Sequence, residues 1–339
     1  MRPLLPAAAL LAAAAVAAGC SERGSSSSSE NPDAALRVVA TTTQVADFAR
    51  AVGGDRVSVD SLLSPNSDPH DYEPKPSDAR AVAEADVVLR SGGDLDEWLE
   101  DVVQGAGGDA TEVTLIDHVD TIEGGHHHEH GEEEEHAEDE HAGEEEHAGE
   151  EEHAGEEQDP HWWQDPRNVA KATEAIRAAF AKADPDGADA YTTGARDYTA
   201  QLTKLDTAVE RCMTAIPAER RKLVTNHDAF GYFAHRYDIT VLGSIIPALS
   251  TSAQASAGDV RRLVAAIKRE KVTTIFPESA IAQRLEEAVA RDAGAKVGPA
   301  LYADTLGPKG SEGETYLGAL RHDASAMATG FGGSCTDLP

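Results

Sequence analysis

Four short motifs each set one side chain able to hold a ligand where a β-strand reads as ending. SPNSDPHDYEP carries His70, QDPHWWQDP carries His161, VTNHDAF carries His227 and LYADTLGP carries Asp304. Imidazole nitrogens and carboxylate oxygens are groups that proteins aim at ions and polar ligands. A lone loop histidine is usually a polar surface residue, but three at equivalent topological positions, each beside turn-forming Asp, Asn or Pro, point to a shared ligand. Ligands of open α/β sheets bind outside the carboxyl ends of the strands, so two such sheets facing each other would gather these four residues in one cleft. His118, His235 and His322 sit among ordinary helix or strand residues and read as surface or packing side chains.

A second histidine population is built differently. Residues 123–157 hold eight His (126, 127, 128, 130, 136, 141, 147 and 153), sixteen Glu, one Asp and no Lys or Arg, and end in the repeat HAGEEEHAGEEEHAGEE. The segment has almost no apolar surface to bury, so the sequence predicts disorder without metal. Imidazoles spaced among carboxylates chelate divalent ions in many exchanging arrangements, each weakened by the cost of ordering the chain. His126, His127, His128, His130, His136, His141, His147 and His153 are therefore expected to form auxiliary weak metal sites. The bland alternative is a solubilising acidic loop.

The elements that must position the four isolated residues alternate. ALRVVAT, VSVDSLL, ADVVLRS and TEVTLIDHV are short β-rich runs, separated by helical stretches such as TQVADFARAVGG and SDARAVAEA. After the acidic segment the pattern resumes with KLVTNHDAFGYFAHRYDITVLGSI, DVRRLVAAIKREKVTTIFPE and RLEEAVARDAGAKVGPALYAD, closing on a helix around ETYLGALRHDASAMA. This βα alternation predicts an α/β fold of two lobes with mainly parallel sheets. Between them, Tyr191, Tyr198, Leu205 and Cys212 recur every seven residues, as do Ala195, Leu202, Val209 and Ile216. One amphipathic helix over 187–216 follows, a stiff spine of roughly 40 Å joining the lobes; a break near Gly194 is the alternative. The expected division is an N-terminal lobe over 35–186 and a C-terminal lobe over 217–339.

The formal charge is −32, and residues 123–157 supply 17 of those negative charges. The remainder is acidic too, which disfavours nucleic acid and anionic lipid and attracts cations. MRPLLPAAALLAAAAVAAGC is an apolar run too short to span a bilayer and reads as an export signal over 1–20. It resembles the lipobox of bacterial lipoproteins, with Cys20 as the lipidated residue and 21–34 as a tether, although Ala17 stands where Leu is usual. Export permits disulfides, and Cys212 and Cys335 are expected to pair; two separately buried thiols are the alternative.

SDPHDYEP, DPHWWQDPRN, LVTNHDAFGYFAHRY, TIFPES and LYADTLGPKGSEGETY, in this order and with a His-rich insertion before the second, resemble the zinc-binding solute-binding lipoproteins of metal-ion ABC transporters. The resemblance covers the chain from about Ala35 onward. It implies a metal between two lobes joined by a rigid helix, with His70, His161, His227 and Asp304 as ligands and Glu278 behind them, accepting a ring N–H from a histidine. In some zinc-specific members the carboxylate stands back, and in manganese-binding relatives the position of His227 is a carboxylate. The implied function is capture of Zn2+ outside the cytoplasm and delivery to a permease and its ATPase, by a monomer anchored to the membrane through lipid. Zinc takes imidazole readily, whereas manganese prefers more oxygen. A manganese-binding member of the same family, or a zinc hydrolase or hydratase using an open fourth position, are the other readings. Trp162 and Trp163 are expected to wall His161 off from water.

Overall fold

The structure is a computed structural model describing residues 34–124 and 158–339. The lipobox cysteine Cys20 and the eight histidines of the insertion lie outside the described residues.

Strand β1 (Leu36–Ala40) is buried at four of five positions, the mark of a parallel strand covered on both faces. Helix α1 (Thr43–Gly53) starts where the Thr42 hydroxyl accepts the Val45 N–H. Then come β2 (Val57–Ser61), α2 (Pro76–Glu84), β3 (Val87–Arg90), α3 (Leu99–Ala106) and β4 (Thr111–Thr114). The four strands form one parallel sheet in the order β2-β1-β3-β4. Helix α4 (Pro166–Ala183), capped by Asp165, completes the N-terminal lobe.

Helix α5 (Ala188–Thr214) is unbroken over 27 residues, about 40 Å at the α-helical rise. Its stripe of Tyr191, Ala195, Tyr198, Leu202, Leu205 and Val209 is buried. Gly194 does not break it: a side chain there would collide with the Val52 carbonyl at the end of α1, so glycine lets the two backbones touch.

The C-terminal lobe contains β5 (Lys222–Thr225), α6 (Gly231–Tyr237), β6 (Thr240–Ser244), α7 (Ala257–Glu270), β7 (Thr274–Ile275), α8 (Arg284–Ala293), β8 (Lys296–Val297) and α9 (Tyr316–Gly330). The pairs β5-β6 and β7-β8 are parallel, and the Phe276 N–H bonding the Val224 carbonyl at 2.9 Å joins them. β7 and β8 have two residues each because Pro277 and Pro299 follow, and proline donates nothing to a ladder.

The lobes do not have wholly separate cores. One apolar cluster runs from Val38 and Phe48 through Tyr198 and Leu202 to Phe233, Leu320 and Met327, so α5 is shared interior rather than a free hinge. Cys212 and Cys335 form a disulfide that pins the last residues to the end of α5.

Candidate metal site

Each strand-end loop is shaped by a carboxylate two residues upstream of, or opposite to, its histidine. His70 lies in a 3-10 turn (Pro69–Asp71) begun by Asp68, whose Oδ1 accepts the His70 N–H at 3.0 Å. Asp159 treats His161 likewise, accepting its backbone N–H at 2.9 Å and its ring Nδ1 at 2.8 Å. His227 follows β5, where Glu278 Oε1 accepts the backbone N–H at 3.0 Å and both carboxylate oxygens lie 2.9 Å from the ring Nδ1. Asp304 arrives on the extended stretch after Leu301, which pairs in parallel with Glu278.

The structure thus brings His70, His161, His227 and Asp304 together, with one donor atom from each within 4.8 Å of all the others. Asp304 does not stand back: its Oδ2 lies 3.1 Å from His227 Nε2 and 3.5 Å from His70 Nε2, and its Oδ1 3.3 Å from His161 Nε2. His161 Nε2 and His227 Nε2 are 3.4 Å apart. A tetrahedron with arms of 2.0–2.1 Å has edges of about 3.3 Å, so these separations match the ligand spacing of a four-coordinate ion. The four side chains are 3, 0, 0 and 5% exposed, which closes the cluster to bulk water.

Buried polar atoms normally find partners. Among the described residues, His70 Nε2 and Asp304 Oδ1 have no hydrogen-bond partner, though both are buried and face the cluster. Asp159 and Glu278 each face a ring Nδ1 and can accept its N–H, so loss of the other proton leaves the Nε2 lone pairs of His161 and His227 pointing inward, the tautomer a cation requires. Burial drives His161 and His227 toward the neutral form, but Asp304 with Asp159, and Glu278 with Asp304, outweigh it and raise both values. Asp304 is the converse: burial favours its acid, yet the two imidazoles hold it well below the usual carboxylate range. Opposite charges here compensate one another, an arrangement that a divalent cation can replace.

Trp163 meets His161 edge-on at 5.5 Å, forming the wall expected of it, and Trp162 packs behind against Phe48. Trp163 and Gln164 also donate across the lobes to the Ala303 carbonyl at 3.0 and 3.1 Å, fixing the residue before Asp304. On the other side α9 clasps the same stretch: His322 Nε2 lies 2.9 Å from the Ala300 carbonyl, and Asp323 accepts the Tyr302 N–H at 3.0 Å. His322 is thus a packing residue, as read, while Asp159, Gln164 and Asp323 were not foreseen. The insertion leaves this same seam, since Glu123 bridges antiparallel to Gln158, three residues before His161.

The family model of the periplasmic component A of zinc-uptake complexes matches residues 38–330. The chain is 34% identical over 303 residues to the manganese-binding lipoprotein MntA of Bacillus subtilis, covering 88% of this chain and 90% of that one. It is 26% identical over 311 residues to the metal ABC transporter substrate-binding lipoprotein SloC of Streptococcus mutans, covering 88% and 91%. Among solved structures, the periplasmic zinc-binding protein TroA of Treponema pallidum superposes with a TM-score of 0.73 at 28% identity, over 87% of this chain and 99% of that one. The two-lobe fold is therefore that of TroA, and the hydrolase reading is set aside in favour of a binding protein. The chain belongs to the zinc-uptake component A family of periplasmic metal-binding proteins, the solute-binding components of metal ABC transporters.

Proposed function

We propose that this protein captures Zn2+ outside the cytoplasm and hands it to the permease of an ABC transporter, with His70, His161, His227 and Asp304 as the four ligands. The observation that carries this reading is the pair of orphaned buried atoms, His70 Nε2 and Asp304 Oδ1, inside a cluster with tetrahedral spacing. Three imidazoles and one carboxylate suit zinc, while manganese favours a more oxygen-rich shell. Manganese is the second reading, favoured by the name of the 34%-identical Bacillus subtilis relative.

On this proposal 1–20 is a lipoprotein signal, Cys20 carries the lipid, 21–34 is a tether, and lobes over 35–186 and 217–339 flank the linking helix at 187–216. Glu278 and Asp159 orient the ligand imidazoles. The insertion histidines collect zinc weakly beside the cleft, raising its local concentration when the metal is scarce. Cells lacking the gene, complemented with the wild-type chain or with His161→Ala, test the role through uptake of labelled zinc and manganese. Zinc uptake restored by the wild type alone is the expected result; restoration of manganese uptake only would replace zinc by manganese.

A further inference from the structure

Asp-Pro-His occurs at 68–70 and again at 159–161, each time ending on a member of the buried cluster. In both copies the aspartate accepts the histidine's backbone N–H. There the copies part. Asp159 turns the same oxygen, Oδ1, to the ring of its own histidine as well. Asp68 instead turns Oδ2 toward the C-terminal lobe, where it accepts the Thr251 hydroxyl at 2.7 Å. The next residue, Ser252, donates its hydroxyl to the His70 carbonyl at 3.1 Å. Both ends of the His70 residue are therefore tied, directly or through Asp68, to one loop between β6 and α7.

The other two histidines take their main-chain restraints from their own lobes, although the Tyr232 hydroxyl of the C-terminal lobe also reaches the Asp159 carbonyl at 3.0 Å. His161 uses Asp159 and the Gln164 N–H, on its own lobe, and His227 uses Glu278 and the Thr225 hydroxyl, on its own. The Trp163 and Gln164 contacts to Ala303 also cross the lobes, but they are buried, whereas Ser252 is exposed and Thr251 half-buried. Asp68 and Asp304 line one narrow crevice with Glu278 and Ser279, whose buried Oγ has no hydrogen-bond partner among the described residues.

Building on the proposed metal-binding role, we infer that Asp68, Thr251 and Ser252 form the release latch of the site. Asp68 is a positioning residue whose carboxylate holds His70 in the cluster only while the C-terminal loop is seated on it. When the loop lifts, Asp68 loses its Thr251 bond and the His70 carbonyl its Ser252 bond, so the turn is free to carry His70 outward. The metal leaves by the crevice, which has no room for a water molecule while the loop is seated, as His161, His227 and Asp304 stay together. The latch thus sets how fast the metal dissociates more than how fast it associates.

The test is stopped-flow transfer of bound metal from the full chain to a chelator in excess, run separately with zinc and with manganese. Thr251→Val keeps the side-chain volume and removes the hydroxyl bound to a carboxylate, so release should quicken about tenfold. Thr251→Val/Ser252→Ala should release faster still, and Thr251→Ser should restore the wild-type rate, a rescue that a packing role would not give. Wild-type release from the double variant would overturn the latch alone, because the metal is then held without it. A wild-type chain that retains neither metal would overturn the latch and the binding role together.

Discussion

Glu278→Gln removes one negative charge while leaving the side chain's size unchanged, which isolates what that carboxylate does for His227. In the structure Glu278 is 2% exposed and accepts the backbone N–H at 3.0 Å while both oxygens sit 2.9 Å from the ring Nδ1. Oε1 alone reaches both the backbone N–H and the ring, so a glutamine oxygen there keeps those contacts, but an NH2 group then replaces Oε2 beside the ring Nδ1 and that second ring contact to a charged acceptor is lost. Loss of one hydrogen bond to a charged group costs about 1.5–3 kcal/mol. Expressed as metal affinity this is roughly 10–100-fold, the usual cost of losing such a support behind a ligand histidine.

The pH dependence carries a sign. Burial pushes the His227 ring toward neutrality, but Glu278 and Asp304 raise its proton affinity well above the ordinary histidine value. On the proposed metal role, the same carboxylate strengthens both the metal and the proton that competes with it. At pH 8 the proton competes least and the deficit of the glutamine variant should be full, whereas toward pH 6 the wild type loses more to protonation and the two should converge. Chelator competition across that range, with circular dichroism to confirm the fold, reads the effect. Wild-type affinity at pH 8, or a deficit that grows as pH falls, would refute the role given to Glu278.

Three further outcomes follow from other parts of the molecule. Asp323 is fully buried with its acid form favoured, its value pushed up by burial to about 7, so ionisation costs the folded state as pH rises from about 4 to about 7. Asp323→Asn abolishes that loss, and chemical denaturation should show the variant gaining on the wild type by at most about 4 kcal/mol between pH 4 and pH 8; a constant difference would contradict it. Replacing Cys212 and Cys335 by Ser frees a loop whose ends are 123 residues apart, and denaturation at pH 7 should reveal a loss of up to about 5 kcal/mol with the metal site unaltered. Deleting 125–157 while keeping the Glu123–Gln158 bridge should leave one tight zinc and remove the weaker ones in calorimetry; loss of the tight site would assign it to the insertion.

The ligand-capable residues were legible because strand-end loops announce themselves locally. Asp, Asn or Pro beside an isolated histidine marks a turn, and alternating β and α runs fix where those turns gather. The shared burial of α5 was likewise written in a seven-residue stripe. What joins the lobes was not, because Thr251 meeting Asp68, or Gln164 meeting Ala303, is a contact between distant residues with no periodic trace. Asp159 did leave a signal, the second Asp-Pro-His, which is visible once the first is read as a capped turn. The short β7 and β8 reflect a different limit: the segments ending in TTIFPE and GPALYAD continue the βα alternation without marking how long their strands are, and the prolines keep each to two residues.

The central claim is that His70, His161, His227 and Asp304 hold one divalent cation and prefer zinc. The most direct measurement offers dialysed protein zinc and manganese together, each in excess, strips weak sites with a mild chelator, and counts both metals by mass spectrometry of the recovered protein. The account predicts one zinc per chain with less than about a tenth as much manganese, and no retained zinc in His70→Ala, His161→Ala or His227→Ala. Manganese retained in preference to zinc, or a full equivalent of zinc in any of the three histidine variants, would contradict it.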